Sequence, residues 1–117
     1  MSFPLDLILV PEVDEVHASL EAAVQAMDLL STLAVEGGAK PLEEFISEDA
    51  TLGDGEEISA SQLHDPADGL RSVQVILSKY EGSEEAEEEV IAELVNLREA
   101  LSAAAKAGSK FCFSMDL

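Results

Sequence analysis

Lys110-Phe111-Cys112-Phe113-Ser114-Met115-Asp116-Leu117 closes the chain with a strict alternation. Phe111, Phe113, Met115 and Leu117 fall on one side, and Cys112, Ser114 and Asp116 on the other. A period of two is the signature of a half-buried strand. At the other end, residues 3–10 read Phe-Pro-Leu-Asp-Leu-Ile-Leu-Val and are bounded by Pro4 and Pro11. Leu5, Leu7 and Leu9 share one face, and about eight residues is strand length. Two terminal strands with helical sequence between them predict that the termini pair in one small sheet, with helices covering one face.

The intervening sequence supplies those helices. Glu12, Asp14 and Glu15 suit the positive end of a helix dipole. Val13, Val16, Leu20, Val24, Met27 and Leu30 then recur at spacings of three and four, up to Gly37-Gly38. The spacing predicts one helix over about 12–36. Leu42, Phe45 and Ile46 suit a short helical turn, 48–57 is a polar loop, and Ile58 to His64 reads as a short edge strand or an extended approach. Asp65-Pro66-Ala67-Asp68 is a helix opening, with Asp65 as cap and Pro66 at the first helical position. Leu70, Val73, Ile76, Leu77 and Tyr80 form its inward face, and Gly82 ends it near residue 81. Ser83 is then expected to cap a helix over 84–107 whose stripe is Val90, Leu94, Leu97, Leu101 and Ala104. The whole chain, 1–117, is a single α+β domain in this reading: three main helices packed on a small sheet formed by the N- and C-terminal strands.

Composition narrows the function classes. Apolar residues are 47% of the chain, which disorder does not tolerate. The 25 acids against 6 bases leave a formal net charge of −19. Such a surface repels phosphates, so nucleic acid and anionic membrane are excluded as partners. No apolar run approaches the roughly 20 residues of a membrane span, and the N-terminal stretch lacks the basic start of a secretory signal. The one cysteine, Cys112, permits no internal disulfide and suits a reducing cytoplasm.

Motifs that carry chemistry are scarce. Asp49 to Glu57 resembles a calcium loop superficially, but Ala50 and Leu52 stand where ligands belong. His17, His64 and Cys112 have no ligand spacing, so no metal is expected. No Gly-x-Ser-x-Gly elbow is present, and Gly53 and Gly55 sit among acids that would repel a bound phosphate. No cofactor and no catalytic residue is assigned, and the reading leans away from an enzyme.

The acidic clusters remain. Glu84 to Glu89 carry five acids in six positions, and no basic residue follows until Arg98. Read as helix, Glu85 and Glu89 are like-charge neighbours, which destabilise by a few tenths of a kcal/mol per pair. Glu84, Glu85, Glu88 and Glu89 are therefore candidate partner-binding residues. Glu43, Glu44, Glu48, Asp49, Asp54, Glu56 and Glu57 form the second candidate cluster. A negative face speeds encounter with a basic protein. The alternative is a small carboxylate-using hydrolase or ligand-binding protein with its site near the 43–57 loop. Open sheet edges also admit a homodimer.

Leu42-Glu43-Glu44-Phe45-Ile46, Leu52-Gly53-Asp54-Gly55-Glu56 and the Asp65-Pro66 helix opening resemble the middle of the YfbM-like bacterial proteins. Residues 90–117, with Leu97-Arg98, Ala103-Ala104-Ala105, Gly108 and a closing strand, resemble their final stretch. The chain is shorter than that family and lacks its aromatic-rich N-terminal part. The resemblance implies an α+β fold, carries over no catalytic residue, and points by analogy to immunity or interaction proteins.

Overall fold

A computed structural model describes residues 5–10, 13, 16, 18–46 and 63–115. The elements follow the order β1 (Leu5–Val10), β2 (Ser19–Leu20), α1 (Ala22–Gln25), α2 (Met27–Glu36), a 3-10 turn (Leu42–Phe45), α3 (Pro66–Tyr80), α4 (Glu88–Ala107) and β3 (Lys110–Met115). The architecture is α+β, with helices packed on a small antiparallel sheet made by the two chain ends.

The terminal strands pair as the alternation predicts. β1 and β3 run antiparallel with Leu5 opposite Met115, Leu7 opposite Phe113 and Leu9 opposite Phe111. Leu5, Leu7, Leu9, Phe111 and Phe113 are all buried. β1 is the central strand of the order β2-β1-β3. The outer edge of β3 is met by single bridges, parallel from Ile46 to Phe113 and antiparallel from His64 to Phe111. The His64 N–H donates to the Phe111 carbonyl at 2.7 Å, and the Phe111 N–H to the His64 carbonyl at 3.0 Å. His64 is thus an extended approach to the sheet; residues 58–62 lie outside the described residues.

The helix expected over 12–36 is corrected in its first half. Ser19 and Leu20 are strand, opposite Asp6 and Leu5, and the Leu7 N–H reaches the Ala18 carbonyl at 2.9 Å. Val16 bonds back to Val13 as in a turn. The apolar spacing of Val13, Val16 and Leu20 satisfies a hairpin as well as a helix. The free edge of β1 decides between them, because its backbone groups need partners. Helix begins only at Ala22 and is interrupted at Ala26, whose N–H bonds to the Ala23 carbonyl at 3.1 Å.

The helix ends are set by local chemistry. Asp65 accepts a hydrogen bond from the Ala67 N–H at 3.0 Å with Pro66 at the first position, as the sequence predicts. α2 and α4 both stop on a left-handed glycine, Gly38 and Gly108, each with φ of 76°. In both, a paired set of bonds ties the residues beyond the helix back to its last turn: Ala39 to Ala34 with Gly38 to Val35, and Ser109 to Ala104 with Gly108 to Ala105.

The core lies between the α3–α4 layer and the sheet. Val73, Ile76, Leu94, Leu97 and Leu101 have no exposed surface, Leu77 is buried, and Leu70 is half-buried. Phe111 packs at 5.1 Å from Phe45 and 5.7 Å from Phe113, measured between ring centres. α3 reaches this cluster through Gly69, where an added Cβ would stand 2.6 Å from Phe111 Cζ and 3.0 Å from Leu101 Cδ1. Glycine inside a helix is about 1 kcal/mol worse than alanine. A Gly69→Ala change would thus gain from propensity, but Phe111 is held by Phe45, His64 and Phe113 and has little room to move. Gly69→Ala is expected to destabilise by about 1–3 kcal/mol net. Leu97→Ala is expected to lose about 2–5 kcal/mol. Urea unfolding followed by circular dichroism checks both; a stabilised Gly69→Ala would mean the approach is loose, and a Leu97→Ala loss below about 1 kcal/mol would place that side chain outside the core.

Candidate functional site: the acidic turn and its groove

The connection between α3 and α4 was expected to be a tight break at Gly82 with Ser83 capping the next helix. The structure corrects this: α4 begins at Glu88, its N-cap residue is Glu87, and no side chain caps it. Residues 81–87 form a turn organised by Tyr80. The Tyr80 hydroxyl donates to the Glu85 carbonyl at 3.1 Å and accepts from the Glu87 N–H at 3.0 Å. The Tyr80 ring is buried at the end of the α3 stripe, so its hydroxyl needs polar partners, and these two backbone groups supply them. Two fixed points two residues apart set the path of the turn. Continuing the helix back to Glu84 would also stack Glu84 on Glu88 and Glu85 on Glu89, which like charges resist. The Glu85–Glu89 helical pairing expected from sequence does not form.

Glu84, Glu85, Glu88 and Glu89 are all exposed. Glu84 and Glu85 lie on the turn, while Glu88 and Glu89 occupy the first turn of α4, where carboxylates favour the helix dipole. Beside the turn is a groove of about 650 Å³ between α1–α2 and the α3–α4 connection. Asp28, Glu84, Glu85 and Glu87 line it together with Ala22, Ala26, Leu29 and Ala86. Among the described residues its lining has four carboxylates and the Tyr80 phenol, and no cation, imidazole or thiol. An arrangement of this kind can neutralise a cation and pack an aliphatic stem against Ala22, Ala26 and Leu29.

The second acidic cluster is only partly described. Glu43 and Glu44 are exposed on the 3-10 turn, and Glu43 accepts a 2.7 Å hydrogen bond from Ser31 Oγ. Glu48, Asp49, Asp54, Glu56 and Glu57 lie outside the described residues, as does His17. The groove does not include Glu43 or Glu44.

His64 and Cys112 are both structural in their surroundings. The His64 ring stands edge-on to Phe45 at 5.0 Å. Burial, aided by Lys40, holds its pKa below the usual histidine value against the opposing pull of Asp68 and Glu44. Cys112 is fully buried in β3, and burial pushes its thiol from 9.0 up to about 11. Among the described residues no group of three His, Cys, Asp or Glu side chains is placed to hold a metal ion. No helix among them is long and apolar enough to cross a membrane.

Two residues with leading roles were missed by sequence reading. Tyr80 was assigned only to an apolar stripe; the signal was a phenol at the end of that stripe, directly before a polar turn. Glu93 stands in the sequence as one more acid of the α4 stretch, with nothing beside it to mark a role. Its Oε1 accepts the Glu21 and Ala23 N–H groups and its Oε2 the Ala22 N–H, each at 2.9 Å. The carboxylate of α4 thereby caps α1, which has no side-chain cap of its own. No protein-family model, curated protein or solved structure matches the chain.

Two outcomes follow from this geometry. Tyr80→Phe keeps the buried ring and removes the clamp, so it is expected to cost about 0.5–1.5 kcal/mol in denaturant unfolding. It should also speed amide exchange at Glu87; unchanged exchange would mean that the hydroxyl does not hold the turn. For Cys112 the raised folded pKa leaves its stabilising share intact below pH 9, and that share is lost as pH climbs from 9.0 to about 11. Alkylation at pH 8 should therefore be slow in the native protein and fast in urea; equal rates would contradict the burial of the thiol.

Proposed function

We propose that this protein is a non-enzymatic binding module that captures a basic protein through its acidic face, with an immunity-type protein against a basic effector as the most concrete form. The observation that carries this reading is the turn after α3: exposed carboxylates of Glu84 and Glu85 on a backbone clamped by the buried Tyr80 hydroxyl. A pre-ordered charged turn loses less freedom on binding than a mobile one. The groove beside it, acidic at Asp28, Glu84, Glu85 and Glu87, suits the same kind of partner. The long-range field of a chain at −19 steers a basic protein toward this surface and turns acidic competitors away. Glu43 and Glu44 add to that field from the 3-10 turn. The work is assigned to the cytoplasm, where the single buried thiol remains reduced. The resemblance to YfbM-like proteins is in keeping with an interaction role and assigns no residue.

The experiment is affinity capture from the native host, followed by mass spectrometry and binding kinetics, with the wild type and a Glu84→Gln, Glu85→Gln, Glu88→Gln, Glu89→Gln variant. Because Glu88 and Glu89 also serve the α4 dipole, relief of repulsion and loss of dipole complementarity oppose each other, and stability is expected to change by less than about 1 kcal/mol. The association rate with a basic partner is expected to fall by about tenfold or more at low salt. Capture of no basic protein, or equal association rates for the two forms, would remove the physical support for the reading.

A further inference from the structure

The groove beside the acidic turn has an apolar floor as well as a charged rim. Ala22, Ala26, Leu29 and Ala86 line it, and each is half-buried and packed against the core. Three of the four are alanines, whose single methyl groups leave the floor low between α1–α2 and the α3–α4 connection. Apolar surface left open in this way is stabilised when methylene groups cover it. Around it stand Asp28 of α2 and Glu84, Glu85 and Glu87 of the connection, four carboxylates with no cation among the described lining residues to offset them.

Both walls are fixed before any ligand arrives. On one side the Ala22 and Ala23 N–H groups are held by the Glu93 carboxylate at 2.9 Å. On the other, the Tyr80 hydroxyl holds the backbone at Glu85 and Glu87. That hydroxyl has both its donor and its acceptor engaged, so it does not compete for a ligand. The volume of about 650 Å³ lies within the range of organic-ligand pockets, about 300–1,000 Å³. A metal ion needs several oxygens converging on one point. Among the described residues no three carboxylates are placed in that way. Charge on the rim and methyl groups on the floor instead match an organic cation carried on an aliphatic stem.

We propose that this groove is the anchor site for the basic partner, and that its occupant is an arginine side chain. The stem lies along Ala22, Ala26 and Leu29, and the guanidinium stands among the rim carboxylates. The proposal rests on the protein-binding reading and names the chemical group by which that partner is held. Arginine fits better than lysine for two reasons. Its planar fork presents five donors, so more than one carboxylate can be engaged at once. It is also more weakly hydrated than an ammonium group, so it loses less on entering a groove floored by methyl groups. An arginine seated in a pre-ordered pocket is a common centre of binding energy in protein interfaces.

The test is an NMR titration of the full chain, resolved at amides and methyl groups, with N-acetylarginine N-methylamide. This probe presents one arginine side chain on an uncharged backbone. The citrulline analogue keeps the stem without the charge, methylguanidinium keeps the charge without the stem, and the lysine analogue replaces the fork by a point charge. Sodium chloride holds ionic strength constant. Saturating shifts at Ala22, Ala26, Leu29 and Ala86 are expected, with a Kd in the millimolar range. The citrulline analogue and methylguanidinium should each bind about tenfold more weakly or worse. Asp28→Asn, on the rim but outside the acidic turn, is expected to weaken the arginine probe by about threefold or more. Glu36→Gln combined with Glu99→Gln removes two exposed acids that do not line the groove, and should change affinity by less than about twofold at physiological salt. Non-saturating shifts spread over the surface, methylguanidinium binding as tightly as the arginine probe, tighter binding of the lysine analogue, or equal weakening by the two sets of substitutions would each overturn the proposal. The titration needs no partner. Its failure alongside capture of a basic protein strikes the arginine anchor alone, whereas saturation without such capture strikes the partner reading and leaves the groove selective for arginine.

Discussion

The carboxylate of Glu93 ties together parts of the chain that sequence places some seventy residues apart. It accepts three consecutive backbone N–H groups where the β1–β2 hairpin turns into α1. Helix N-termini leave such donors without partners, and a four-residue helix with no cap of its own cannot supply them. Glu21 is exposed and Ala22 half-buried, whereas Ala23 has no exposed surface, so water is a poor substitute chiefly at Ala23. Hydrogen bonds to an ionised acceptor contribute about 1.5–3 kcal/mol each, before allowing for non-additivity. Removing the acceptor would return the outer donors to water and leave the Ala23 N–H unmet at the junction of hairpin and helix layer. β2 and α1 therefore take their places against α4 through this carboxylate together with the packing of Leu20 and Ala23 in the core.

Around that tie the acids divide into two kinds. Asp65 caps α3, Glu43 takes the Ser31 hydroxyl, and Glu88 and Glu89 sit at the favourable end of α4. These offset part of the repulsion that a net −19 imposes. Glu84 and Glu85 differ: they stand exposed on a turn whose backbone is held by Tyr80, and their charge does no such work inside the fold. The same division applies to the few cations. Lys106 lies in the last turn of α4, where it complements the dipole, whereas Lys40 and Arg71 are exposed beside a recess between the end of α2 and α3.

What was legible in the sequence was what neighbouring residues decide. The alternation of 110–115 and 5–9 gave the paired terminal strands. Asp65-Pro66 gave the opening of α3, and Gly37-Gly38 and Gly108 the ends of α2 and α4. The α4 stripe from Val90 to Ala104 gave the core. The errors lie where a distant group decides. Val13, Val16 and Leu20 keep helical spacing, yet the open edge of β1 draws Ser19 and Leu20 into a strand. The start of α4 moved to Glu88 because Tyr80, on the preceding helix, holds the backbone at Glu85 and Glu87. Glu93 looked like one more surface acid, since nothing local reveals that its partners are at 21–23. Of the candidate partner-binding acids, Glu84, Glu85, Glu88 and Glu89 were read correctly as exposed, but the groove that accompanies them depends on Asp28 and Leu29 from α2.

Native-state hydrogen exchange on Glu93→Ala tests the central claim most directly. With the carboxylate in place, the amides of Glu21, Ala22 and Ala23 should exchange slowly. In the variant all three should lose protection by about tenfold or more, the equivalent of at least 1.4 kcal/mol. Leu97 and Ile76, inside α4 and α3, should remain among the slowest. Unchanged protection at 21–23 would contradict the account, because the hairpin and α1 would then be held to α4 by packing alone.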